Sequence, residues 1–153
     1  KIKINKLNNF VKEDRESSGS ETFETSIGGV RRLFKTLKNK NCAVFAADQV
    51  PSRGLGEYIK FFNKEAYTTT LIQSLAVKTR APVVYFYLSS SMKGFLSIII
   101  KRCNDSIYDD SKHKLLLNND IANMINERPI DYSWEYKRFR RAKDGKEDPY
   151  KDV

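Results

Sequence analysis

From Ile27 onward, Val30, Leu33, Phe34 and Leu37 recur at three- and four-residue spacing, with Arg31, Arg32, Lys35 and Lys38 between them. Such spacing predicts an amphipathic helix, because those positions share one face at 3.6 residues per turn. Asn39 and Asn41 bracket its expected end. Upstream, Leu7, Phe10 and Val11 share one face of a shorter helix, and Ile2 and Ile4 alternate with lysines as the end of a strand would. Residues 42–47 are almost wholly apolar and are closed by Asp48 and Gln49. A run apolar on both faces predicts a buried parallel strand.

Pro51, Gly54 and Gly56 predict a loop leaving the carboxyl end of that strand. Residues 58–62 form a short candidate strand, and a helix starting at Thr68 carries Leu71, Ile72, Leu75 and Ala76 on one side. Pro82 opens a second buried strand over residues 83–88, and a turn at 89–94 leads to a third over 95–100. So short a connection implies antiparallel pairing of those two strands. Leu117, Ile121, Met124 and Ile125 mark a last long helix that must stop before Pro129. Strands alternating with helices argue for the α/β class. The expected organisation is one domain over residues 1–143 and a polar tail over 144–153.

A chain of 153 residues with 40% hydrophobic content fits a single domain with a real core. The chain starts at Lys1 rather than Met, which reads as a fragment. Its longest apolar run, residues 95–100, is interrupted by Ser97 and falls far short of the ~20 residues that span a bilayer. Cys42 and Cys103 sit in apolar segments without metal-ligand spacing and read as small buried hydrophobes of a reducing compartment, with a disulfide as the alternative. The net charge of +9, from 28 Lys and Arg against 19 Asp and Glu, favours an anionic partner. Phosphate, phospholipid headgroups, nucleic acid and an acidic carrier protein all satisfy that condition, and so does plain solvation of scattered lysines.

Candidate chemistry concentrates at Asp48, because loops beyond the carboxyl ends of strands converge on ligands in open α/β sheets. A carboxylate after six apolar residues needs a cation or backbone amides as partners; alternatively it is a turn or cap residue. Arg15 could hold such a carboxylate or a phosphate in a two-pronged contact, or be one surface arginine among many. His113 is the sole histidine, set in a polar stretch beside Lys112 and Lys114, which makes it a poor candidate base. No nucleophile elbow, phosphate loop or metal cluster is present in the sequence, and no cofactor is expected. Near the end, Trp134, Tyr136, Lys137, Arg138, Phe139, Arg140 and Arg141 interleave aromatics with cations. That composition suits nucleic acid or a membrane surface, unless the rings pack on the sheet and the arginines are solvated.

Four collinear stretches resemble the lipid A biosynthesis acyltransferase family, the lauroyl and myristoyl transferases. They are Arg15 and Gly19 with the helix from Gly29-Val30-Arg31-Arg32-Leu33 through Leu37, and Val-Phe-Ala-Ala-Asp-Gln at 44–49. The third is Phe61-Phe62-Asn63 with Ala66, the threonines 68–70, Leu75-Ala76 and Ala81-Pro82-Val83-Val84. The last is Arg128-Pro129 through Tyr132, Trp134 and Lys137-Arg138-Phe139-Arg140. The sequence departs from the family where Asn63 replaces a frequent Gly, Ser17 replaces a second arginine, and no His stands near Glu135 or Tyr136.

The resemblance implies an α/β fold with a central mixed sheet flanked by helices, glycerolipid-acyltransferase-like and incomplete at the N-terminus. It makes residues 1–143 the C-terminal part of a single acyltransferase domain. The implied activity is transfer of a fatty acyl chain from acyl carrier protein to a hydroxyl of a Kdo-bearing, phosphorylated lipid A precursor. The implied place is the cytoplasmic face of the inner membrane, through an anchor upstream of Lys1. A His-x4-Glu or His-x4-Asp pair supplies the general base in the family, and its absence here implies that the fragment is inactive alone. By position Asp48 and Arg15 correspond to the other two active-site residues, with Arg15 on phosphate or oxyanion charge and Asp48 orienting the site. Gln49, Arg138, Arg140 and Trp134 are the implied substrate-binding residues. Expected partners are therefore the carrier-protein thioester, the phosphorylated lipid acceptor and the membrane surface, and not nucleic acid. The alternatives are a basic nucleic-acid-binding domain or a non-catalytic lipid-binding one.

Overall fold

The computed structural model describes residues 5–23, 26–109, 113–143, 147 and 149–151, with the side chains of 5–8 and 113 left aside. The chain forms two compact units, residues 1–43 and 44–153.

The first unit holds two helices, α1 (Asn5–Glu16) and α2 (Ile27–Lys38). Both were expected from their apolar spacing. Ser26 caps α2 by accepting the Gly29 N–H at 3.1 Å, satisfying one of the amino-terminal donors that a helix leaves open. Asn39 ends it, and Lys40 follows at φ 61°. The expected strand end at residues 2–4 lies outside the described residues.

In the second unit, β1 (Gly56–Phe61) and β2 (Lys64–Thr69) form an antiparallel hairpin. Phe62 and Asn63 connect them at φ 46° and 61°, the paired positive angles that match the twist of a two-residue hairpin turn. Asparagine tolerates that region through its short polar side chain. At the far end of the hairpin Gly56 is required, because a Cβ there would stand 2.4 Å from the Thr68 carbonyl oxygen. The helix expected from Thr68 is therefore displaced: Thr68 and Thr69 belong to β2, and α3 runs Leu71–Thr79. Three consecutive threonines are β-branched and pack better on a pleated surface than in a helix.

A second antiparallel hairpin joins β3 (Val84–Ser90) to β4 (Leu96–Arg102), confirming the expected pairing. Its inner side is tied down by side chains. Tyr85 donates to Asp120 at 2.9 Å, Tyr87 donates to Glu127 at 3.0 Å, and the Ser90 N–H donates to Asp131 at 2.8 Å. Its outer side exposes Val84, Phe86, Leu88, Leu96, Ile98 and Ile100, each between 55% and 71% accessible. These strands alternate rather than being buried on both faces.

Helix α4 (His113–Glu127) lays Leu117, Ile121 and Ile125 on one stripe against Phe61, Ala66 and Ile72, and this is the main core. Burying each such side chain contributes about 1.5–3 kcal/mol. Single-turn 3₁₀ segments at Asp105–Tyr108 and Pro129–Asp131 flank it, and the chain stops being helical before Pro129 as expected.

The mixed α/β class holds, with four strands and four α-helices among the described residues. The expected central mixed sheet does not form among them: the strands make two separate two-stranded sheets. Residues 42–46 form no regular element and pair with no strand among the described residues, Ala47 begins a turn, and Cys42 and Val44 are exposed. Apolar composition sets what a segment prefers to bury, whereas a strand needs a neighbour for its backbone groups. Cys103 is buried as expected, Cys42 is not, and both are free thiols. No helix among the described residues is long and apolar enough to cross a membrane.

Candidate active site

Asp48 lies half-buried in a turn at the end of that unpaired segment, where the Gln49 N–H donates to the Ala46 carbonyl at 3.2 Å. Phe45 and Ala47 on either side pack against the main core and hold the segment down by apolar contact. Gln49 is exposed and Val50 is buried. The Val50 N–H donates to the Tyr136 hydroxyl at 2.7 Å, which brings the turn to the C-terminal aromatic and basic segment.

That segment is fastened to β2 by Arg138. Although a cation, Arg138 is only 3% accessible. Its Nη1 donates to the Tyr67 carbonyl and its Nη2 to Thr68 Oγ1, both at 2.8 Å, and its guanidinium lies 5.3 Å over the Phe61 ring. Thr68 Oγ1 donates to Ala66 O at 3.0 Å and also accepts from Asn118 Nδ2 at 3.0 Å, while that same Nδ2 donates to the Lys60 carbonyl at 3.1 Å. One buried threonine thereby joins β2, α4 and the C-terminal segment. Burial pulls the pKa of Arg138 below the ordinary guanidinium value, and the neighbouring Tyr132 and Asp48 act in the opposite direction.

Tyr132 completes the group. Its hydroxyl is buried and approaches Asp48 without closing a hydrogen bond of ordinary geometry. Burial first, and the Asp48 charge second, push the phenol up to about 12, with Arg138 opposing. Arg138 Nε is likewise buried without a hydrogen-bond partner. The Asp48 charge thus acts on a buried phenol and a buried cation, each with a donor that has no hydrogen-bond partner among the described residues.

Around this centre Trp134 is 58% accessible, donates its Nε1 proton to the Pro129 carbonyl at 2.7 Å, and stacks edge-on with Tyr132 at 5.0 Å. Arg140 is exposed with its guanidinium 4.7 Å over the Tyr136 ring, and Arg141 lies 5.5 Å over Tyr67. Phe139 packs against Phe61 at 6.0 Å. Phe139 thus packs on the hairpin, Trp134 stays largely exposed beside Phe62 at 6.4 Å, and all three arginines of the cluster lie over aromatic rings.

The structure therefore gathers Asp48, Gln49, Trp134, Arg138 and Arg140 into one unit. Arg15 is exposed in the last turn of α1 in the other unit, where its carbonyl accepts the Ser20 hydroxyl. His113 opens α4, and its side chain lies outside the described residues. Sequence reasoning did not assign Tyr132, Tyr136, Thr68 or Asn118 to the site. The alternation of aromatics and cations hinted at the tyrosines, and Asn118 stands next to Leu117 at the edge of an apolar helical stripe. No group of three or more His, Cys, Asp or Glu among the described residues could hold a metal ion.

In comparison with known proteins, the model of a family described as bacterial lipid A biosynthesis acyltransferase matches residues 1–141. No curated protein matches the chain in a sequence search.

Proposed function

We propose that this chain, which belongs to the bacterial lipid A biosynthesis acyltransferase family, carries part of the site that acylates a lipid A precursor. The donor in this reading is the thioester of acyl carrier protein, and the acceptor is a hydroxyl of a Kdo-bearing phosphorylated disaccharide lipid. The acceptor oxygen bonds to the acyl carbonyl carbon, the thioester C–S bond breaks, and the thiol leaves on the carrier while a base takes the hydroxyl proton. The His-x4-Glu or His-x4-Asp pair that supplies this base in the family is not among these 153 residues, so the chain by itself is inactive.

The observation that carries the reading is the half-buried turn of Asp48, which the Val50 N–H ties at 2.7 Å to Tyr136 of the aromatic and basic segment that holds the buried Arg138. A carboxylate carried on a turn held in this way is oriented before the reaction, which is where electrostatic preorganisation lowers a barrier. Arg138 acts from beneath, while the exposed Gln49, Arg140 and Trp134 meet the phosphorylated acceptor. Arg15 serves substrate phosphate or developing oxyanion charge. The net charge of +9 favours an acidic carrier and anionic headgroups at the cytoplasmic face of the inner membrane. Residues 1–143 are then part of a single acyltransferase domain of the glycerolipid type.

The test is acyl transfer from carrier-protein thioester to lipid A precursor by the protein as made in the cell. Asp48→Ala is expected to lower the rate by about a hundredfold or more with the fold retained. Transfer at the unsubstituted rate would remove Asp48 from the site.

A further inference from the structure

We propose that Tyr136 is a positioning residue for Asp48, acting through the Val50 amide; the proposal rests on the placement of Asp48 in the active site. Residues 44–50 have no strand partner among the described residues, so no ladder fixes the turn. Their long-range hydrogen bond runs from the Val50 N–H to the Tyr136 hydroxyl at 2.7 Å, across 86 positions of sequence. Val50 is only 9% accessible, so its N–H cannot exchange this acceptor for bulk water without local opening.

Tyr136 is itself held from both sides. Its own N–H donates to the Ser133 carbonyl at 3.1 Å, and Arg140 covers its ring at 4.7 Å. The segment is anchored before it by Trp134 on the Pro129 carbonyl and after it by Arg138 on Tyr67 and Thr68. The hydroxyl therefore offers a fixed acceptor two residues beyond Asp48. Sub-ångström placement of an orienting group is worth much in rate, since a displacement of about 1 Å can cost on the order of a hundredfold.

The variant is Tyr136→Phe, which keeps the ring beneath Arg140 and removes only the acceptor. Hydrogen exchange is expected to accelerate about tenfold at the Val50 amide, with the amides of α4 unchanged. In acyl transfer, kcat is expected to fall about tenfold with KM held within about twofold, because binding contacts are untouched and alignment is lost. Unchanged exchange at Val50 overturns the proposal, and so does faster exchange with unchanged kcat. Equal acceleration in α4 also overturns it, since the hydroxyl would then support stability generally. Should the protein as made in the cell transfer no acyl group, the proposed function fails, and the exchange at Val50 alone decides whether Tyr136 holds the turn.

Discussion

Arg138 donates through Nη2 to Thr68 Oγ1 at 2.8 Å, joining residues 70 positions apart at a point where both side chains are buried. The same guanidinium reaches the Tyr67 carbonyl at 2.8 Å, so its planar fork meets two acceptors at once. A lysine ammonium has the charge without the fork and sits less well over the Phe61 ring. Arg138→Lys is expected to destabilise the protein by about 2–3 kcal/mol, because one buried acceptor loses its donor. Denaturant unfolding measures this; a change under about 0.5 kcal/mol would show that the fork is dispensable.

Tyr132 makes stability depend on pH in the alkaline range. Its ordinary value is 10.0 and its folded value is pushed up to about 12, by burial first and by the Asp48 charge next. The unfolded chain releases this proton first, so the stabilisation is complete below pH 10 and lost as pH rises toward 12. Tyr132→Phe should remove its part of that decline, and Asp48→Asn should move the phenol back toward its ordinary value. Ring resonances followed by NMR titration check both, and a Tyr132 that titrates at its ordinary value in the unsubstituted protein would contradict the burial described.

The outer face of the β3–β4 hairpin should make the chain prone to association. Phe86 is paired with Ile100 and Leu88 with Ile98, all between 59% and 69% accessible. A contiguous apolar patch with open strand edges promotes self-pairing. Phe86→Thr with Ile98→Thr should reduce light scattering at a given concentration and leave the melting temperature within a few degrees, since neither side chain is in the core. Unchanged scattering would mean that association proceeds through another surface.

Much of the local structure was legible because it depends on neighbours in sequence. Val30, Leu33 and Leu37 gave α2, Leu117, Ile121 and Ile125 gave α4, and the short connection before Phe95 gave the antiparallel pairing of β3 with β4. Where the reading failed, a non-local partner decided. Residues 42–47 carry the composition of a buried strand, yet no strand among the described residues completes their backbone hydrogen bonds. The threonines after Ala66 went to β2 because Phe62 and Asn63 accept positive φ and fold the chain back on β1.

The candidate site divides in the same way. Residue types and order alone were enough to single out Asp48 and the basic aromatic segment, and to suggest the family that the match over residues 1–141 establishes. The tertiary structure alone decided that Arg138 is buried beneath Thr68 while Arg140 stays exposed, and that Tyr136 reaches Val50. Sequence specifies what each side chain can donate, accept or bury. Which arginine of a basic run becomes an anchor depends on the acceptors that folding brings within 3 Å of it, and these lie some seventy residues away.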